Sequence, residues 1–285
     1  LSGLVGSEMC IRDRIKYYKG LGTSTGKEFK EYFAEKRFIT LTHEGQTTTN
    51  VIDMVFNKKR PDDRKDWLGG YNRQLYLETN KTSISVDEFL HRDLIHYSKY
   101  DCDRSIPNLM DGFKISLRKI MFSAFKKPLT KEVKVAQLSG YVSEHSGYHH
   151  GEASLNGAIV CLAQNYVGSN NINLLMLNGQ FGTRLQGGKD SASERYIFTQ
   201  LSSITRQIFP HADDDILEYL NDDGLSVEPV FYAPIIPMIL VNGSDGIGTG
   251  FSTTIPQFNP LDCSNNIKRK LNGLPYLSMK PYYRG

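Results

Sequence analysis

The chain has 285 residues, 39% hydrophobic and 23% charged, enough for one large or two ordinary domains that each bury a core. Its formal net charge of +3 does not by itself announce a partner for polyanions, and no stretch reaches the roughly 18 apolar residues of a membrane-spanning helix. Four scattered cysteines (Cys10, Cys102, Cys161 and Cys263) form no Cys-x-x-Cys pair, which argues against a zinc ribbon or disulfide framework and fits a reducing compartment.

Residues 1–13 carry no periodic pattern and are expected to be a leader of adaptor or vector origin. Gly26–Lys36 has helical spacing, with Phe29, Tyr32 and Phe33 on one side. Residues 38–58 alternate loosely and suit short strands. Pro61–Asp66, followed by Trp67, reads as a polar entry into another helix, and the break at Gly69-Gly-Tyr-Asn72 marks a linker. Val86–Ile95 is amphipathic, with Phe89, Leu90 and Leu94 inward. From Asp111 a helix carries the stripe Ile115, Ile120, Met121 and Phe125, beside Lys114 and Arg118 at i,i+4 spacing. A second helix fits Gly151–Tyr166. From Val227 onward the segments are β-rich and punctuated by proline, before a short helix at Asn266–Leu271.

Chemistry concentrates at Arg195-Tyr196. A tyrosine can attack phosphorus once its phenol, with an ordinary pKa of about 10, loses its proton. A neighbouring guanidinium stabilises the charge that builds on the phosphoryl oxygens. The dipeptide alone is common, and most tyrosines are packing residues. Gly20-Leu-Gly-Thr-Ser-Thr-Gly-Lys-Glu28 imitates a P-loop but has five residues between Gly20 and Gly26, and Glu28 where Ser or Thr should meet magnesium. His145, His149, His150 and Glu152 lack standard zinc spacing. Taken alone, the basic run from Lys114 to Lys134 is a solvated face.

The surrounding strings change these weights. Tyr148-His-His-Gly-Glu152, Gly179-Gln-Phe-Gly-Thr-Arg184, Gly187-Gly-Lys-Asp-Ser-Ala-Ser193 and Ser193-Glu-Arg-Tyr-Ile-Phe198 resemble the DNA-breaking region of eukaryotic type IIA DNA topoisomerases. So do Ile15-Lys-Tyr-Tyr-Lys-Gly-Leu-Gly-Thr-Ser-Thr25, Asp103-Arg-Ser-Ile-Pro107, Asp111-Gly-Phe-Lys114 and Glu132–Leu138. Ala163–Asn171, Pro234–Asn242, Gly246-Ile-Gly-Thr-Gly250 and a weaker Lys280–Gly285 follow in the family's order.

The resemblance implies an α+β multidomain chain. Residues 14–70 would be the C-terminal part of a TOPRIM α/β domain, and 71–84 a linker. Residues 85–226 would be a winged-helix (helix-turn-helix) domain, and 227–285 the start of a tower α/β domain. The chain would be part of a longer reading frame and inactive when isolated. The whole enzyme would be an ATP-dependent topoisomerase that breaks and rejoins both strands of DNA through a 5′-phosphotyrosyl link at Tyr196. Arg195 and the pair His149 and His150 would assist. Lys19, Arg104, Lys114, Arg118, Lys119, Arg184 and Lys189 would contact DNA. Ile247 would intercalate as a wedge, where the bland reading is a side chain tucked inside a hairpin. Mg²⁺ and ATP would be cofactors whose binding residues are absent from this chain, so it would hold no metal ligands. Double-stranded DNA and a second protomer would be the partners, and the location nuclear. Two departures stand out: Glu194 where the family commonly has Pro or Ala, and Ile115-Ser116 in place of Pro-Gly. They keep alternatives open, a non-catalytic winged-helix module or a degenerate copy.

Overall fold

The computed structural model describes residues 24–285 apart from Arg37, Thr79 and Asp223; Lys19, residues 1–13 and the first glycines of the P-loop-like string lie outside them. Helix α1 (Gly26–Ala34) starts at a capping box, in which the Thr25 side chain accepts from the Glu28 amide while the Glu28 carboxylate accepts from Thr25 N. Strand β1 (Thr40–Thr42) is the only part of 38–58 that is extended; Gln46–Phe56 forms helix α2. Val51, Met54 and Val55, at helical spacing, turn toward Trp67, Leu68 and Leu90, and this burial overrides the β preference of the Thr-rich start.

Helix α3 (Pro61–Gly69) begins at Pro61: proline suits the first helical position, and Asp62 and Asp63 favour the positive end. Strand β2 (Ser83–Ser85) pairs parallel with β1. It leads into α4 (Val86–Phe89), a π-helical turn at Leu90–Leu94, and α5 (Ile95–Ser105). Leu90 and Ile95 are buried in the first core, with Phe89 and Leu94 at its margin.

The second, larger core lies among α6 (Ile115–Lys126), α7 (Val135–Ser146) and α8 (Glu152–Ala163). Ile120, Met121, Val135, Leu138, Val142, Leu155 and Ile159 are wholly buried in it. Three helices, not two, build this unit. The Val135, Leu138, Val142 spacing is that of an apolar helix face. Strand β3 (Val133–Lys134), just before α7, pairs antiparallel with β4 (Phe198–Thr199).

After α9 (Thr205–Ile208), β5 (Tyr219–Asp222) and β6 (Leu225–Pro229) form an antiparallel ribbon that packs on α6 and α7. The β-rich part thus starts at Tyr219, ahead of Val227. Helix α10 (Met238–Val241) precedes the hairpin of β7 (Ser244–Gly248) and β8 (Phe251–Ile255), and α11 (Pro260–Leu271) is longer than the Asn266–Leu271 expected. Asn171 ties these pieces together: its side-chain NH₂ faces the carbonyls of Val241, Phe258 and Tyr282, and its Oδ1 accepts from Arg284 N. The whole is a mixed helix-and-strand architecture.

Candidate functional site

Tyr196 projects from a turn whose backbone is fastened on both sides. Its own amide donates to Ser193 O at 2.9 Å, and the next residue, Ile197, is buried at 1% exposure. The carbonyls of Glu194 and Ile197 accept from Ala136 N and Val135 N, the first amides of α7, which a helix start leaves without intrahelical partners. Beyond it, Phe198 and Asn178 exchange both backbone bonds. The Tyr196 side chain is nonetheless 71% exposed. An anchored backbone therefore presents a free phenol. The Arg195 guanidinium lies 5.5 Å from the Tyr196 ring centroid, with a long bond to Ser193 Oγ at 3.4 Å. Glu194 is half-buried, and the carbonyl it gives to α7 is one that any residue could supply.

The glycine-rich stretch before Tyr196 is a built loop. Gly182 and Gly188 hold positive φ of 94° and 77°, and a Cβ on Gly182 would sit 2.5 Å from Gly188 O. Buried Gln164 donates to Phe181 O at 2.8 Å, and Thr183 gives both its amide and its hydroxyl to Asp190 at 2.8 Å. These bonds, the Thr183 amide foremost, hold the Asp190 carboxyl below the usual carboxylate range. Arg184 and Lys189 stand exposed on this loop.

His149 and His150 lie in a separate small hollow of about 120 Å³, lined also by Tyr100, Arg104, Lys119, Gly147 and Asp222. Around this hollow the two imidazoles take partners of their own. His149 Nε2 bonds the Asp222 carboxylate at 3.0 Å, and His150 Nε2 meets Tyr100 Oη at 2.6 Å. Gly147, in the left-handed region at φ 58°, closes α7 and leaves the room that Asp222 fills. Burial pushes the Tyr148 phenol up, with Arg104 opposing. Tyr100 and Asp222 were missed in the sequence, because no local pattern links them to residues some 50 and 73 positions away.

The basic residues divide. Arg104 is exposed at the rim of the hollow, and Lys114 is half-buried at the N-cap of α6, which forms without the Pro-Gly that Ile115-Ser116 replaces. Arg118 and Lys119, both expected to contact DNA, are each paired with a carboxylate of the fold. Arg118 is 5% exposed and donates to Asp111 at 2.7 and 3.1 Å and to Phe113 O at 3.0 Å. Lys119 donates to Ser146 O and, at 2.7 Å, to buried Glu228. Both charges are paired within the fold, Arg118 in the interior and Lys119 at the edge of the hollow.

Ile247 is 82% exposed, which rules out the tucked-in reading. Side chains alternate along β7, and its neighbours Gly246 and Gly248 face α5. A Cβ on Gly246 would overlap Ser105 O, and one on Gly248 would lie 3.1 Å from Cys102 Cα. The hairpin tip is pinned further by Asp101, which accepts from Thr249 N at 3.0 Å and Oγ1 at 3.1 Å. Two glycines let the strand press on the helix, and the residue between them must point out.

The family model for the A-type chain of DNA gyrase/topoisomerase IV matches residues 104–285, and that of the C-terminal associated domain of TOPRIM matches residues 10–102, starting inside the stretch assigned above to a leader. The chain belongs to the DNA gyrase/topoisomerase IV family. It carries part of a type IIA topoisomerase core. It is 52% identical to DNA topoisomerase 2 top-2 of Caenorhabditis elegans and 53% to DNA topoisomerase 2 of Arabidopsis thaliana, over 95% of the chain in each case. It spans only 19% and 18% of those two proteins' own lengths. Among solved structures it resembles the DNA-binding, cleavage and re-ligation domain of Plasmodium falciparum topoisomerase II, with TM-score 0.79 and 51% identity over 95% of this chain and 37% of that one.

Proposed function

We propose that this chain is the DNA-cleaving segment of a eukaryotic-type DNA topoisomerase II, in which Tyr196 is the nucleophile. The observation that carries this is an exposed phenol on a rigid, multiply bonded turn, next to an exposed arginine, within a family match that spans the site. In the step, Tyr196 Oη bonds to a backbone phosphorus and the bond from phosphorus to O3′ breaks. A 5′-phosphotyrosyl link results; the phenolic proton leaves to water or a nearby base, and the departing O3′ takes a proton from water to become the free 3′ hydroxyl. Arg195 stabilises the charge on the phosphoryl oxygens. Reversal reseals the strand with no loss of bond energy.

Arg104, Lys114, Arg184 and Lys189 form the phosphate-facing set, with His149 and His150 joining Arg104 as donors from the neighbouring hollow. Ile247 enters a base step and bends the duplex. In domain terms, α6–α8 with the β5–β6 ribbon correspond to the winged-helix unit, the part before α5 to the end of TOPRIM, and the β7–β8 hairpin onward to the start of the tower. Among the described residues no group of three or more His, Cys, Asp or Glu is placed to hold a metal ion, so the Mg²⁺ that the family implies enters no step above. ATP, pairing with a second protomer, and a nuclear location belong to the same reading of the whole enzyme.

The test is a full-length enzyme carrying residues 14–285 of this chain. Tyr196→Phe should abolish the covalent DNA adduct while leaving non-covalent duplex binding within about twofold, since an exposed hydroxyl is all that is lost. An undiminished adduct would assign the chemistry to another residue.

A further inference from the structure

The loop before Tyr196 projects one side chain that the proposal above leaves unused. Leu185 is 95% exposed, more than any other large hydrophobic residue among those described. A lone surface leucine is ordinary, but three features separate this one. The loop that holds it is rigid, through Gly182 against Gly188, Gln164 on Phe181 O, and Thr183 on Asp190. Its outward charge is net positive: Arg184 and Lys189 are exposed, while the carboxylate of Asp190 is engaged by the amide and hydroxyl of Thr183. Both ends of the loop are fastened to the Tyr196 segment. Ala192 N donates to Gln180 O, Asn178 pairs with Phe198, and a Cβ on Gly179 would meet Ile197 Cγ2 at 2.9 Å.

A stiff loop offering an apolar tip between two cations is complementary to a duplex groove. Phosphates take the cations, and the base edges or a partly opened step take the tip. We infer that Leu185 enters the DNA groove beside the phosphate that Tyr196 attacks, while Arg184 and Lys189 grip the flanking backbone. Leu185 is then a positioning residue that fixes the local register of the duplex against the phenol. This rests on the DNA-breaking reading above, and the experiment separates the two.

Duplex binding by the 285-residue chain is followed by fluorescence anisotropy across a salt series. Leu185→Ser should weaken binding about tenfold at every salt concentration, the loss expected when a leucine no longer leaves water, with an unchanged slope. Arg184→Gln and Lys189→Gln should each flatten the log–log slope by about one. In a second measurement, Leu185→Trp places an indole at the tip. The one native tryptophan, Trp67, is 9% exposed and bonded to His91, so quenching by acrylamide reports the introduced ring. Saturating duplex should protect that ring.

Wild-type affinity in Leu185→Ser, or an indole left open to acrylamide with duplex bound, would overturn the assignment while the phosphate set stands. A change in sedimentation in Leu185→Ser without a change in DNA affinity would give the tip to a second copy of the chain instead, and would also overturn it. If the wild-type chain binds no duplex even at low salt, both readings fall together.

Discussion

Gly246→Ala is the most informative perturbation of the hairpin that carries Ile247. The added methyl would lie 2.3 Å from the Ser105 carbonyl oxygen, a backbone atom at the end of α5 and not the tip of a flexible side chain. Either the hairpin lifts from α5 or the helix end shifts. Lifting also strains the bonds from Thr249 to Asp101 and from Cys102 Sγ to Thr249 O. Overpacking of this kind costs about 1–3 kcal/mol, which in a chain of this size lowers the melting temperature by roughly 2–10 °C. Ile247→Ala is the matched control. With its side chain 82% exposed, its stability should stay within about 0.5 kcal/mol of wild type. Thermal melts of the two variants, beside energy transfer across an end-labelled duplex, distinguish them. Gly246→Ala should melt lower and bend DNA poorly; Ile247→Ala should melt normally and bend DNA poorly. A Gly246→Ala protein that melts like wild type would refute the close-approach argument, and normal bending by Ile247→Ala would refute the wedge.

Arg195→Lys, in a full-length enzyme carrying this segment, should lower cleavage by about 10²-fold, because an ammonium cannot offer the planar paired donors that phosphate oxygens take; quantifying the covalent adduct at equal DNA occupancy checks it. Asp111→Ala should destabilise the chain by about 3–5 kcal/mol in urea unfolding, since it strands the buried Arg118 guanidinium and removes the acceptor of Tyr232 N at 3.0 Å. The Asp190 carboxyl is held below its ordinary range by Thr183, so its support of the loop is complete above a pH of about 4 and is lost as pH falls through the depressed folded value. The Thr183 amide, followed by NMR, should lose protection in that acid window, and in Asp190→Asn the pH dependence should vanish.

Much of the site was legible because it is contiguous. Arg195-Tyr196, the glycine-rich loop and the Gly246-Ile-Gly248 triplet each carry their meaning within a few residues, and local rules of turn, cap and alternation operate on that scale. The apolar stripe of α6 was readable for the same reason. The stretch 38–58 was not, because β-branched residues favour strands until burial against Trp67 and Leu68 decides for a helix. Helix α7 was not legible either: its apolar face is diluted by Ser139, Gly140, Ser143 and Ser146, residues that favour turns and caps in isolation.

The sequence by itself determined the family, and it singled out Arg195-Tyr196 and the loop that precedes them as candidates for the chemistry. Only the tertiary structure decided which cations are free. Lys114, Arg118 and Lys119 belong to one basic run, yet Arg118 turns inward to Asp111 and Lys119 to Glu228, which lies 109 positions away. The same holds for His149 with Asp222 and for Ile247, whose outward aim depends on α5 pressing against two glycines. A charge or an apolar side chain has no fixed role until folding determines whether its neighbour is water, a carboxylate or a packed helix, and those neighbours come from far along the chain.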